Sequence, residues 1–335
     1  MTLANACAAV MFGGITVYAL LAGADFGAGF WDLIAGGSER GKQTRALVEE
    51  SIGPVWEANH VWLIFVLVVM WTAFPAAFAS IMSTLFVPLT LAAIGVILRG
   101  AAFAFRKATL TLPLQRFFGA TFASASVLTP YMLGSVVGGV ASGRVPAGDR
   151  AGNVITSWVN PTSALGGVLA VVVCAFLAAV YLAADAQRRD RPELVRAFRT
   201  RALVSGLAGG LIALAGVGVL HQDAPPLFHG LTHRGAPLIV LSAVAGLATL
   251  LLVWSARYAW ARYTAALAVV AVLWGWAAGQ YPYLLESSVR IRDAAGAPAT
   301  LAAMLVVLGL GALVLIPALV WLFVLMQRGV LTAEH

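Results

Sequence analysis

The sequence is short of charge. Of 335 residues only 10% are Asp, Glu, Lys or Arg, whereas 61% are hydrophobic and the mean hydropathy is +0.91. Soluble domains carry about 25% charged residues, so an ordinary aqueous surface is excluded. Cysteine is scarcer still. Cys7 and Cys174 stand in separate apolar runs; they are too few for a disulfide framework or an iron–sulfur site and read as packing residues. Of five histidines only His60 lies in an apolar run. Haem held by this chain alone, which draws on ligands from facing helices, is therefore disfavoured. No Walker A or dinucleotide-binding glycine motif occurs, which removes the case for nucleotide chemistry. The net charge of +7 comes from short segments between apolar runs, the pattern of a topology signal and not of a nucleic-acid surface. No Lys or Arg precedes the first apolar run, so the first helix is expected to stay and not to be cleaved as a signal peptide.

What is present is a series of continuous apolar stretches rich in Ala, Leu, Val and Gly. About 20 such residues span the hydrocarbon core, and nine spans are read at 8–34, 55–74, 77–105, 118–141, 161–184, 200–220, 236–255, 260–283 and 300–326. The alternation of a β-barrel is absent. Only Pro75, in WTAFPAAF, separates the second and third spans, which predicts a tight hairpin there. Pro88, Pro130 and Pro317 are expected to kink their spans. The fold class is thus an all-α polytopic membrane protein with nine transmembrane helices, as two four-helix bundles plus one peripheral helix. The first bundle covers 1–142 and holds the embedded polar groups, the second covers 143–290, and the ninth helix with a cytoplasmic tail covers 291–335. VYALLAGAD in the first span and VYLAAD in the fifth hint at duplication, without deciding it. HQDAPPLFHGLTH (221–233) holds three histidines. There Pro225, Pro226 and Gly230 argue against a helix, so a solvated outer loop is expected in preference to a metal site.

The stretch PVWEANHVWLIF (54–65) places Glu57 and His60 at the mouth of a segment in which Arg99 is the one charge from Val61 to Phe105. With the N-terminus outside, Asp25 lies roughly 12 Å from the inner end of its span and Arg99 roughly 9 Å from the inner end of its own, at 1.5 Å per residue. Four ionisable residues on three neighbouring spans therefore share the inner half of the membrane. Arg99 can snorkel, and Glu57 can serve as a helix-start charge. The short Asp25 side chain has no such escape, and an unpaired charge at a helix centre costs about 2.5–3.5 kcal/mol on insertion scales. Asp25 must pair with Arg99, stay protonated or face water. Gly23 and Gly27 share a face that admits a second backbone, and Asp32 and Tyr18 extend the Asp25 stripe in both directions.

GADFGAGFWDLIAGG (23–37), GPVWEANHVWL (53–63), AFPAAFA (73–79) and LRGAAFAFR (98–106) resemble, in order and spacing, subunit II of cytochrome bd-type quinol oxidases. The close match covers about the first 106 residues. The resemblance implies a non-haem-ligating subunit of a membrane quinol:oxygen oxidoreductase of the respiratory chain. It would be a multi-pass protein of the bacterial inner membrane, paired in a heterodimer with a larger subunit I. That partner would carry two b-type haems, a third haem and the quinol site. For this chain it implies a scaffold, a proton pathway through Glu57, His60 and Asp25, charge pairing of Arg99 with Asp25, and an oxygen passage near Trp62. A bound structural quinone or lipid, membrane lipids and a small accessory subunit are the further ligands and partners it suggests; no metal site and no catalytic residue are expected here. The family often has aspartate at 57 and a further acid where this chain has Ala22, so the proton route here is shifted or thinner. From the residues alone, a proton-coupled secondary transporter, or a purely structural subunit, remains the alternative.

Orientation follows from the basic residues. Taking the N-terminus as outside puts fifteen Lys and Arg in inner segments, including the 188–201 stretch RRDRPELVRAFRTR, and five in outer ones, a bias that the positive-inside rule reads directly. Reporter fusions after residues 190 and 225 are expected to report inside and outside respectively; the reverse pattern would overturn the N-outside assignment.

Overall fold

The computed structural model describes residues 2–36, 41–52, 56–108, 111–147, 151–285 and 288–327. The chain forms α1 (Leu3–Leu33), α2 (Lys42–Ile52), α3 (Trp56–Ala73), α4 (Pro75–Thr84), α5 (Phe86–Ala108) and α6 (Leu112–Ala141). It continues as α7 (Pro161–Arg188), α8 (Pro192–Asp223), α9 (Pro225–His233), α10 (Ala236–Trp254) and α11 (Tyr258–Gln280). A hairpin of β1 (Tyr283–Leu285) and β2 (Val289–Arg290), a short α12 (Ile291–Ala294) and α13 (Pro298–Gln327) complete it. Helix starts follow local rules: Thr2 accepts from the Asn5 amide before α1, and Asn160 accepts from that of Ser163 at 2.8 Å before α7, which has proline at its first position.

Among the described residues eight helices are long and apolar enough to cross a membrane: α1, α5, α6, α7, α8, α10, α11 and α13. The second expected span corresponds to α3, whose described apolar stretch, Asn59–Ala73, is shorter. α1 packs on α3, α6 and α7; α5 lies mainly against α6; α7 holds α8 and α11, and α10 pairs with α11. α13 is peripheral, with α1 and α3 as its main contacts. At one end of the molecule the start of α1, α4, the hairpin and α12 share an apolar core of Cys7, Phe74, Leu85, Val145, Leu285 and Ile291. The other end is polar. There Glu50 of α2 pairs with Arg189 and, at 3.0 Å, with Arg191 in the α7–α8 turn.

Three expectations change. The span read at 77–105 is two helices: the chain turns at Phe74, runs through α4 and breaks again at Leu85. Pro88 consequently falls in the first turn of α5, where its missing N–H has no partner to lose, and not inside a long helix. The segment expected as a solvated loop, 221–233, is the end of α8 followed by helix α9. Pro225 and Pro226 occupy its first two positions, where proline is tolerated. Gly230 does not interrupt α9 either: it is buried, and a Cβ there would stand 2.0 Å from the Gly279 carbonyl oxygen, so glycine permits the close approach to α11. The amphipathic α2 was not foreseen.

α4 and α9 are two copies of one local structure. Phe74 (φ −135°, ψ 58°) and Ala224 (φ −137°, ψ 59°) precede Pro75 and Pro225, 150 positions apart. Their amides donate to Met70 O at 2.9 Å and Leu220 O at 3.0 Å. Trp71 stacks on Phe78 as His221 meets Phe228 edge-on. In both, a long helix ends, the chain makes a proline turn, and a short helix hands over to the next long one.

In a bilayer, helices associate by close packing and not by expulsion of apolar surface from water. The Gly23/Gly27 face of α1 meets α7, and a Cβ on Gly27 would lie 1.8 Å from Cys174 O. Gly27→Val is expected to push α1 and α7 apart and destabilise the protein by about 1–3 kcal/mol or more. A lowered thermal midpoint of the purified protein is the expected reading; an unchanged midpoint would show that the two backbones are not pressed together there.

Candidate functional site

Asp25 on α1 and Arg99 on α5 are 3% and 1% exposed. Arg99 Nη1 donates to Asp25 Oδ2 at 2.8 Å, and Nη2 donates to Oδ1 and, at 3.3 Å, to the Asp25 carbonyl. Its Nε donates to Ser126 Oγ of α6 at 2.9 Å, and Ser126 in turn donates to Phe122 O at 2.7 Å. The guanidinium lies between the rings of Phe26 (5.1 Å) and Phe122 (4.6 Å). A forked ion pair with four of its five N–H groups engaged and both faces on aromatic rings is the form in which a charge is tolerable without water. Arg99 points into the protein and does not snorkel.

A second rung lies one heptad along. Asp32 accepts from Arg106 Nη1 at 2.9 Å, with Arg45 Nη1 at 3.8 Å. The spacings Asp25–Asp32 and Arg99–Arg106 are both seven residues, so α1 and α5 run parallel in a common register, and the rungs are about 10 Å apart along the axis. α5 packs chiefly on α6, so the arginine side chains themselves reach across to α1. Arg106 was read only as an inner-segment charge. The repeated spacing of 74 residues between acid and base was the signal that would have found it. Ser126, Phe122 and Phe26 carried no such signal.

On the other side of Asp25, His60 of α3 is half-buried between Tyr18 (ring centroids 6.2 Å) and Phe26 (5.9 Å). The Tyr18 hydroxyl and His60 Nδ1 are both buried without a protein partner. Two unpaired polar atoms in one apolar neighbourhood are where an internal water is favoured. The result is a polar seam through α1, α3, α5 and α6, from Asp32–Arg106 past Asp25–Arg99 to His60 and Tyr18. The side chain of Glu57 lies outside the described residues. Trp62 stands apart from the seam, half-buried and edge-on to Phe65 at 5.8 Å.

Haem does not fit the described residues around His60. Its ring neighbours are Tyr18 and Phe26, and no second histidine ring lies against it among the described residues. Between α10 and α11, Thr249 Oγ1 donates to Thr264 Oγ1 at 2.8 Å, a neutral contact. At the opposite end from Asp32, Asp223 closes α8 by accepting from Arg144 Nη1 at 3.0 Å and from the Thr162 amide at 3.1 Å and hydroxyl at 2.6 Å.

The profile of the family described as cytochrome bd terminal oxidase subunit II matches residues 3–326. A protein of Bacillus subtilis (strain 168) named "Putative cytochrome bd menaquinol oxidase subunit II" is 23% identical over 331 residues, covering 95% of this chain and 94% of that protein. Another from the same organism, cytochrome bd ubiquinol oxidase subunit 2, is 30% identical over 169 residues, which is 50% of this chain and 48% of that one. Among solved structures, a chain of the bd oxidase from Geobacillus thermodenitrificans superimposes with a TM-score of 0.77 at 24% identity, over 100% of both chains. That likeness establishes a common fold.

Removing one member of a buried pair strands the other charge, at about 3–5 kcal/mol. Arg99→Ala is expected to lower both the yield of folded protein and its thermal midpoint. The double variant Asp25→Leu/Arg99→Met is expected to be more stable than either Asp25→Leu or Arg99→Met, because no charge is left unpaired. Normal yield and midpoint for Arg99→Ala would show that the arginine is not held by Asp25.

Proposed function

We propose that this chain, which belongs to the cytochrome bd terminal oxidase subunit II family, serves its oxidase by bracing the haem-bearing subunit I and carrying protons along the seam of α1, α3 and α5. Membership makes it a subunit of a membrane quinol oxidase, with subunit I as partner, and the transporter reading of its buried acids gives way to that. The haems, two b-type and a third, are assigned to subunit I, since the surroundings of His60 do not suit one. Relatives are named for menaquinol and for ubiquinol, so the substrate is proposed as the quinol class. The two four-helix bundles with a peripheral ninth helix, the N-terminus outside, the bacterial inner membrane, a structural quinone or lipid, and a small accessory subunit belong to the same proposal.

The Asp25–Arg99 pair carries the proton reading. An ion pair sealed between apolar helices, with a second rung toward the basic end and unpaired polar atoms beyond it, is costly to build as a scaffold alone. Reduction of oxygen to water consumes protons, and low-dielectric protein conducts them only through titratable groups and ordered water. Glu57 receives them from the inner side. His60 follows three residues on along α3, the sequence spacing of neighbours on a helix. Asp25 and Arg99 lie on the far side of Phe26 from it as a closed ion pair. Trp62, half-buried on the same helix, is proposed to line oxygen entry.

Glu57→Gln keeps the shape of the side chain and removes its titratable proton. Quinol-driven oxygen consumption by complexes with intact haem spectra is expected to fall by about 10²-fold or more, the lower range for loss of a positioned proton-transfer group, and Glu57→Asp is expected to retain most of it. Wild-type turnover of Glu57→Gln between about pH 6 and 8, the range in which histidine titrates, would leave the chain a scaffold.

A further inference from the structure

The histidines of α9 lie at the far end of the molecule from Asp32, and the oxidase reading makes no use of them. His229 and His233 are four residues apart, one helical turn, so they share a face. Both are exposed, with ring centroids 4.0 Å apart and planes inclined by 35°. His233 Nδ1 lies 2.8 Å from the His229 carbonyl oxygen. Thr232 Oγ1 stands farther from Nδ1, at 3.2 Å; a carbonyl only accepts, so Nδ1 carries the proton and Nε2 keeps its lone pair. Metal-ligating imidazoles are held in this way, the second ring nitrogen donating to a carbonyl that fixes tautomer and orientation. The platform beneath is stiff. Gly230 is pressed against Gly279 of α11, Arg234 Nη2 donates to the Gly279 carbonyl at 3.3 Å, and two prolines set the first turn.

The repeated short helix supplies a comparison within the same molecule. α4 and α9 have the same order of buried and exposed positions over 74–80 and 224–230. His221 matches Trp71 and lies against Phe228 as Trp71 lies against Phe78, which accounts for His221 by packing. Ala79 and Ser83, both exposed, stand in α4 where α9 has His229 and His233. The fold builds this helix without imidazoles at those places, so packing does not account for the pair.

We propose that His229 and His233 chelate one divalent transition-metal ion of the Cu²⁺, Ni²⁺ or Zn²⁺ class through their two Nε2 atoms. Imidazole suits these ions. Among the described residues no third His, Cys, Asp or Glu joins the pair, and Asp223, the acid of this segment, is committed to Arg144 and Thr162. The site is therefore open, with water completing the coordination, and it is independent of the proton route.

The test uses the intact purified oxidase complex, stripped with EDTA, titrated with Cu²⁺ and followed by electron paramagnetic resonance. The wild type is expected to bind one Cu²⁺ equivalent with coupling to two nitrogens that is absent from either variant. His229→Ala and His233→Ala, both at exposed positions and both with unchanged haem absorption, should each lose that signal. Each should also weaken the equivalent by more than the roughly 10–100-fold that loss of an outer-shell partner costs. His221→Ala should keep it. Identical Cu²⁺ binding by the wild type and both variants, or a loss confined to His221→Ala, would overturn the proposal.

Discussion

The arrangement of the first six helices depends on one interaction, the ion pair of Asp25 and Arg99. Either charge alone in hydrocarbon costs about 2.5–3.5 kcal/mol on insertion scales. The pair is tolerable only while α1 and α5 stay parallel, in register and separated by the reach of an arginine side chain. α6 meets that requirement by placing Ser126 under Nε and Phe122 against the guanidinium face. On its other side α1 presses on α7 at Gly27, which limits how far α1 can shift to relieve a poor pairing. The rung at Asp32 and Arg106 repeats the constraint near the polar end, where water is within reach and geometry matters less.

The two ends of the molecule are held by different forces. At the end bearing α2, exposed ion pairs from Glu50 to Arg189 and Arg191 tie α2 to the α7–α8 turn; such pairs are worth at most about 1 kcal/mol each. At the other end an apolar core seats the hairpin and α12 against α1 and α4, and Asp223 clamps Arg144 and Thr162. The charged seam belongs to the first half of the chain. In the second half, α10 and α11 are joined by the neutral hydroxyl contact of Thr249 and Thr264.

Much of the fold was legible because a bilayer permits few solutions: an apolar run of about 20 residues must be a helix, with its backbone polar groups satisfied within itself. Span positions followed from hydropathy, but the tight hairpin expected at Pro75 is instead a turn at Phe74 followed by the short helix α4. The segment 221–233 misled because Pro225, Pro226 and Gly230 break helices in general. Their effect depends on position: prolines opening a helix lose no hydrogen bond, and a glycine pressed on a neighbouring backbone is there for space. The split of 77–105 at Leu85 was misjudged for a similar reason: Pro88 was read as a kink inside one span, whereas it sits in the first turn of a new helix. The candidate site was partly visible, because an aspartate and an arginine inside apolar runs announce themselves by cost alone. Ser126 and Phe122 are ordinary membrane-helix residues and gave no warning, whereas Tyr18 was legible as an extension of the Asp25 stripe.

By itself the sequence determined that the chain crosses a membrane as helices, and that Asp25 had to pair, stay protonated or face water, because both follow from solvation costs that each residue carries with it. Which partner, and in what geometry, only the tertiary structure decided. Asp25 and Arg99 are 74 residues apart, and their meeting depends on the register of α1 against α5, which the packing of α6 and α7 sets. The same holds for His229 and His233: four residues apart in any conformation, they face one another because α9 forms, and α9 is seated where Gly230 lets it rest on α11.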